Sequence, residues 1–164
     1  MVKLENKLKI EKIKVGILGG TFDPAHKGHL EISKQAKKRF GLKNIVWAIT
    51  KQNPFKDESK SDLRSRIQFA KKIIGKNNYI KVRFYEEKIG SNKTIDLIKY
   101  LAKEKHNEIY FIMGADNLIN FHKWYKWKSI IKKCNIIVFD RQGYKAKSVS
   151  YTHLRAHETL MNLV

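Results

Sequence analysis

The chain has 164 residues, 42 % of them hydrophobic, a formal charge of +20 and a single cysteine, Cys134. That length supports one domain with a proper core, the lone cysteine excludes an internal disulfide, and no apolar run approaches the ~20 residues of a membrane span. The opening MVKLENKLKIEK mixes charges throughout and has no apolar signal region, so the cytoplasm is the expected compartment and no membrane is expected as a partner.

Ile13 to Leu18 is β-rich and predicts a buried strand over about Lys14–Leu18. The segment GGTFDPAHKGHL, residues 19 to 30, leads into a helix over about Gly28–Phe40, closed by Gly41 as a C-terminal stop. NIVWAIT predicts a second strand, Asn44–Thr50, and the polar loop KQNPFKDESK follows. A second helix is expected over about Asp62–Ile74, with Ser59 or Ser61 available as N-cap and Gly75 at its end. YIKVRFY predicts strand three, Tyr79–Tyr85, and a third helix spans about Ile95–Lys105 with Thr94 placed to cap it. IYFIMG is strand four, Ile109–Gly114. Short helices over Asp116–Phe121 and Trp127–Lys133 precede strand five, Asn135–Asp140.

Alternating β and α segments predict an α/β fold, a Rossmann-like, doubly wound parallel sheet of about five strands with helices on both faces. Right-handed crossovers put the C-terminal strand ends along one edge. The loop of residues 19–29, the loop of residues 51–58, the segment before Thr94, the stretch Gly114 to Asp116, and Arg141 all fall there. Convergence of five distant segments on one rim predicts a single ligand site.

The first loop is the most informative. Gly19 and Gly20 are expected to let the backbone approach a ligand and take positive φ, and N–H groups in such a turn can cradle phosphate. His26 and His29 stand at a helix start, whose unpaired N–H groups attract anions. Two imidazoles there can donate to phosphate oxygens, and Gly28 between them leaves room. Zinc ligation lacks a third ligand of the usual spacing. A Walker phosphate loop lacks its Gly-Lys-Ser/Thr, and GGTFDPAHKG does not give G-x-G-x-x-G. The charge of +20 admits a nucleic-acid partner, yet no helix-turn-helix, RNP or zinc-finger pattern appears. Lysines on solvated helix faces are the simpler account of it, so no specific nucleic acid is expected.

The full string resembles the signature of the nucleotidyltransferase superfamily with the His-x-Gly-His motif, here His26-Lys27-Gly28-His29. Within it the chain is similar to the bacterial nicotinate mononucleotide adenylyltransferases. NPFK (Asn53 to Lys56) resembles that family's Pro-x-Lys loop, KTIDLI its Thr-x-Asp segment, FIMGADNL its Gly-Ala-Asp motif, KWYKW its Trp-containing segment, and DRQGY its Arg-Pro-Gly-Tyr with Gln142 in place of proline. Phosphopantetheine adenylyltransferases usually carry Thr where His26 stands, and cytidylyltransferases lack the later set. Nicotinamide mononucleotide is the alternative substrate, and a basic nucleic-acid-binding module is the alternative from another class.

The resemblance implies transfer of AMP from ATP to nicotinate mononucleotide by direct in-line displacement, with Mg2+ carried mainly by the ATP phosphates and no protein metal ligand named. It implies that His26 and His29 hold the phosphates. Gly19, Gly20, Thr21 and Phe22 would line the loop over both nucleotides, Lys56 would contact phosphate, and Gly114 and Asp116 would border the ribose. Trp124 would stack on the pyridine ring, N–H groups around Thr94 and Tyr125 would take the carboxylate, and Arg141 would bind a phosphate. A homo-oligomer is left open. Trp124, Tyr125 and Trp127 taken alone read first as core or surface aromatics, Asp23 as a turn residue, Cys134 as a buried small apolar side chain, and His106 and His122 as surface residues.

The family's later Ser-Ser-Thr-x-x-Arg type motif is missing. VSYTHLRAHET, Val149 to Thr159, looks like the translation of a transposase adaptor. A single domain over residues 1–148, shortened at its C-terminal side, followed by a foreign tail over 149–164, is therefore expected. The other reading has Ser150, Thr152 and Arg155 standing in for the motif.

Overall fold

The computed structural model describes residues 11–104 and 107–139. Five strands, β1 (Ile13–Gly20), β2 (Asn44–Ile49), β3 (Ile80–Arg83), β4 (Asn107–Gly114) and β5 (Asn135–Phe139), form one sheet in the order β3-β2-β1-β4-β5. Every neighbouring pair is parallel. The helices are α1 (Lys27–Phe40), α2 (Leu63–Ile74), α3 (Glu86–Ile89), α4 (Thr94–Lys103), α5 (Ala115–Ile119) and α6 (Trp127–Lys133), with a 3-10 turn over Phe121–Lys123. The expected α/β architecture is present.

Both sheet faces are covered, and successive residues therefore bury on opposite sides. Leu18, Trp47 and Ile112 pack with Leu30 and Ala36 of α1 and Ala70 of α2. Ile17, Val46 and Phe111 pack with Ile95 and Ile98 of α4 and Ile130 of α6. This is why the strands read as continuous apolar runs rather than alternating ones. At Gly16 in the central strand a Cβ would come within 2.9 Å of Leu42 Cδ1. Close packing, not turn formation, requires that glycine.

The strand order reverses between β1 and β4. The chain steps outward from β1 through β2 to β3, then crosses to β4 and β5 on the other side. The crevice beyond the carboxyl ends of β1 and β4 is where such a sheet takes its ligand. Gly20 and Gly114 end those two strands.

Several local expectations are corrected. β1 runs through Gly20, and neither Gly19 nor Gly20 takes a positive φ; the left-handed residue of the loop is Phe22, at φ 50°. β3 stops at Arg83 because α3, not expected from the sequence, begins at Glu86. Neither Ser59 nor Ser61 caps α2. Asp62 does, accepting from the Ser65 N–H at 3.0 Å, since its extended backbone aims the carboxylate back at the first turn. Thr94 lies inside α4 with Lys93 at the cap position. Ser91 braces that start instead, its Oγ accepting from the Lys93 N–H and donating to Asp96 Oδ2 at 2.8 Å. The predicted helix over Asp116–Phe121 resolves into α5 and the 3-10 turn. Gly41 ends α1 as expected, at φ 66° with its N–H on Lys37 O. His106, Arg141 and the tail over 149–164 lie outside the described residues. Among the described residues no helix is long and apolar enough to cross a membrane.

Candidate active site

The loop after β1 turns inward at Phe22. A left-handed conformation costs a residue with a Cβ roughly 1–2 kcal/mol, and burial of the ring to 3 % exposure offsets it. The ring lies 5.1 Å from Trp47 and 4.7 Å from His29 between centroids. A layer of rings thus runs from the buried Trp47 through Phe22 and His29 to His26, the two imidazoles being 3.9 Å apart.

The two histidines cap the helix that they begin. His26 is the N-cap of α1, and its Nδ1 accepts from the Gly28 N–H at 3.1 Å. His29 answers with its own Nδ1, which accepts from the His26 N–H at 3.2 Å. The arrangement is the reciprocal capping box with imidazole nitrogens in place of hydroxyl and carboxylate. Its chemical consequence is tautomeric. A ring whose Nδ1 accepts carries its proton, when neutral, on Nε2. Both histidines therefore keep an Nε2–H donor for a ligand at the positive end of a helix dipole. Burial, with the charges of His26 and Lys56 adding to it, pushes His29 from the usual 6.5 down to about 4. At neutral pH His29 is a neutral donor.

Two residues not singled out in the sequence hold this turn. Trp47 Nε1 donates to Ser33 Oγ at 2.8 Å, and Ser33 Oγ donates to the His29 carbonyl at 2.8 Å. Both side chains are fully buried. A buried indole N–H demands an acceptor, but its identity, one helix away, is not readable from local pattern. Asp23 is more than a turn residue. Its Oδ2 accepts from the backbone N–H groups of Lys60 and Ser61 and joins the first loop to the start of α2.

Beside this turn opens a cavity of about 520 Å³, lined by Gly19, Gly20, Thr94, Leu97, Trp124 and Tyr125 among others. Trp124 packs edge-on against Phe111 and Phe121, with centroids 5.9 and 5.4 Å away, and keeps part of its ring on the cavity. Tyr125 is 54 % exposed at the mouth. No side chain caps the start of α4, and its first residue, Thr94, meets the cavity. Glu86 on α3, also missed from sequence, accepts from Thr50 Oγ1 and from the Lys51 N–H, fixing one wall to the end of β2.

The predicted residues thus fall into two adjoining groups. His26, His29, Thr21 and Phe22 gather at the start of α1, with Lys56 near enough to act on His29 electrostatically. Gly19, Gly20, Thr94, Trp124 and Tyr125 line the cavity. Gly114 and Asp116 stand at the end of β4, off the cavity lining, where a Cβ on Gly114 would meet Asp116 Oδ1 at 2.6 Å. A Cβ there would displace that carboxylate. Cys134, read as a buried side chain, is only partly buried; desolvation pushes its thiol up to about 12, and it donates to Ile130 O. His122 is exposed.

Comparison with known proteins identifies the family of the chain. Residues 17–161 match the model of the cytidylyltransferase-like family. The chain is 80 % identical over 149 residues to the "Probable nicotinate-nucleotide adenylyltransferase" of Pelagibacter ubique, covering 91 % of this chain and 83 % of that one. It is 38 % identical to the protein of the same name from Agrobacterium fabrum, covering 87 % of this chain and 76 % of the relative. Among solved structures, the Plasmodium falciparum nicotinic acid mononucleotide adenylyltransferase complexed with NaAD superposes with a TM-score of 0.68 at 20 % identity, over 81 % of this chain and 67 % of the other. The chain therefore belongs to the cytidylyltransferase-like family and, within it, to the nicotinate-nucleotide adenylyltransferases.

Proposed function

We propose that this chain is an adenylyltransferase that moves AMP from ATP to nicotinate mononucleotide, giving nicotinate adenine dinucleotide and pyrophosphate. The observation that carries the reading is the pair of Nε2–H donors held at the start of α1 beside an aromatic-walled cavity at the switch point of the sheet. A phosphate oxygen of the mononucleotide attacks the α-phosphorus in line, and the bond to the leaving pyrophosphate breaks. Such chemistry asks the protein for alignment and charge stabilisation, not for a nucleophile.

His26 and His29 donate to the triphosphate and to the charge that builds on it. Because His29 stays neutral, it supplies a hydrogen bond without the cost of a buried cation before ATP arrives. Gly19, Gly20, Thr21 and Phe22 form the floor shared by both nucleotides. Lys56 adds a movable positive charge over the phosphates, and Arg141 adds another. Gly114 and Asp116 border the ribose of ATP. Trp124 stacks on the pyridine ring, and N–H groups at Thr94 and Tyr125 receive the carboxylate that separates nicotinate from nicotinamide. Such a pocket disfavours the amide because the N–H groups lose a charged acceptor.

The side chains around the phosphate position are imidazoles and lysine, nitrogen donors poorly matched to a hard cation. They suit magnesium arriving on ATP, held by phosphate oxygens and water. When bound it neutralises charge on the departing pyrophosphate. The substrates are those of the cytoplasm, where we place the protein.

The test is pyrophosphate release from ATP with nicotinate mononucleotide, repeated with nicotinamide mononucleotide. We expect release with the acid well above that with the amide, and a loss of about 100-fold or more in His29→Ala, as when a preorganised donor is removed from charge stabilisation. Full activity in His29→Ala overturns the phosphate-site assignment. No release, together with salt-sensitive DNA binding, overturns the reading in favour of a basic nucleic-acid module.

A further inference from the structure

Arg66 on α2 is 4 % exposed and donates to four backbone carbonyls. Nη1 reaches Thr21 O at 2.7 Å and Thr50 O at 2.8 Å, Nη2 reaches Lys51 O at 3.0 Å, and Nε reaches Ser61 O at 3.0 Å. Among the described residues no carboxylate is bonded to it. Asp23 feels its charge, as the last of the causes that hold that carboxyl low. A buried guanidinium paired only with carbonyls is a costly choice for a core, and the places of those carbonyls account for it.

Thr50 and Lys51 begin the loop that carries Lys56, and Ser61 ends it. Thr21 belongs to the first loop, two residues from Asp23. One planar fork therefore ties together the two ends of the Lys56 loop and fastens that base to the phosphate loop. The Asp23 carboxylate makes a second tie between the same two loops through Lys60 N–H and Ser61 N–H. Above the base the loop is organised from within. Gln52 Nε2 donates to the Lys56 and Asp57 carbonyls, and Ser59 N–H donates to Gln52 Oε1. The span bearing Lys56 is a self-braced unit on a clamped base.

We propose that Arg66 is a positioning residue for the transfer: it touches no substrate, and by clamping the base of the 51–61 loop to Thr21 it sets where Lys56 stands relative to the His26–His29 pair. The proposal rests on the adenylyltransferase reading for its effect on rate, but the clamp itself is a statement about the loop. Lysine cannot replace the residue, since a tetrahedral ammonium has three donors and no planar fork to span four carbonyls.

The experiment is a double-variant cycle of Arg66→Lys with Lys56→Ala, read as kcat and KM for ATP, together with amide hydrogen exchange over residues 52–58. Arg66→Lys is expected to lower kcat/KM for ATP about tenfold and to speed exchange in that loop. In the Lys56→Ala background the same change is expected to cost less than about twofold, because the two residues act as one unit. Multiplicative effects, or unchanged loop exchange, overturn the proposal and leave Arg66 as a fold residue only. Should Arg66→Lys not fold, Arg66→Gln, which keeps a planar N–H donor without the buried charge, carries the same cycle. If the unaltered chain releases no pyrophosphate, the functional reading fails, while loop exchange in the Arg66 variant still decides the clamp.

Discussion

The neutrality of His29 gives a pH dependence with a definite sign. Its folded-state value is pushed down from 6.5 to about 4, chiefly by burial and then by the charges of His26 and Lys56. In the unfolded chain the ring takes up a proton near 6.5, while in the folded chain it resists. Between those values the unfolded state binds more protons, so stability is complete above the unfolded value and falls as the pH falls towards the folded one. At ~1.4 kcal/mol per pH unit, the cost specific to this ring reaches about 2 kcal/mol at pH 5 and roughly 3 kcal/mol at pH 4. His29→Asn removes the titrating group and keeps a planar polar side chain. Urea denaturation of both proteins at pH 7, 6 and 5 isolates the difference. The unaltered chain is expected to lose about 2 kcal/mol more than the variant between pH 7 and pH 5. Nitrogen-resolved NMR of the imidazole is expected to show the neutral Nε2–H tautomer throughout that range. Parallel stability curves, or a protonated His29 at pH 6, refute the argument that burial keeps this ring neutral.

Trp47→Phe deletes the donor to Ser33 and part of a fully buried ring. It should cost about 2–3 kcal/mol in urea unfolding and lower kcat, since Ser33, the donor to the His29 carbonyl, loses the indole N–H that fixes its hydroxyl. Trp124→Ala is expected to raise KM for nicotinate mononucleotide at least about tenfold with KM for ATP within about twofold, measured in the pyrophosphate assay. An equal rise in both would place the ring elsewhere. In Gly114→Ala the new Cβ meets Asp116 Oδ1, at the far end of an exposed side chain. Unfolding free energy is expected to change by less than about 1 kcal/mol, while KM for ATP rises because the carboxylate is displaced.

The layout of the fold was legible because burial on both faces leaves a plain mark. Apolar runs such as Ile45 to Ile49 and Ile109 to Met113 admit few alternatives to central parallel strands. The αL stop at Gly41 was legible for an equally local reason, since only the residue after the last turn needs that conformation. The local marks misled where chemistry at a distance intervened. Gly19 and Gly20 read as a flexible turn, yet pairing with Ala48 and Ile49 draws them into β1, and the left-handed residue is Phe22. Ser59 and Ser61 read as caps, yet the Ser61 carbonyl serves Arg66 and the Ser59 N–H serves Gln52.

What the sequence determined alone was the alternation of elements and the identity of the histidine pair, because those depend on residues within a turn or two of each other. What only the tertiary structure decided was how that pair is held. The Nε2–H tautomers follow from a capping geometry, and the turn is braced by Ser33 and Trp47, 14 residues apart. Arg66 reaches 45 residues back to Thr21. A buried donor announces that it needs an acceptor, but only the folded chain decides which carbonyl, among many, comes within 3 Å of it.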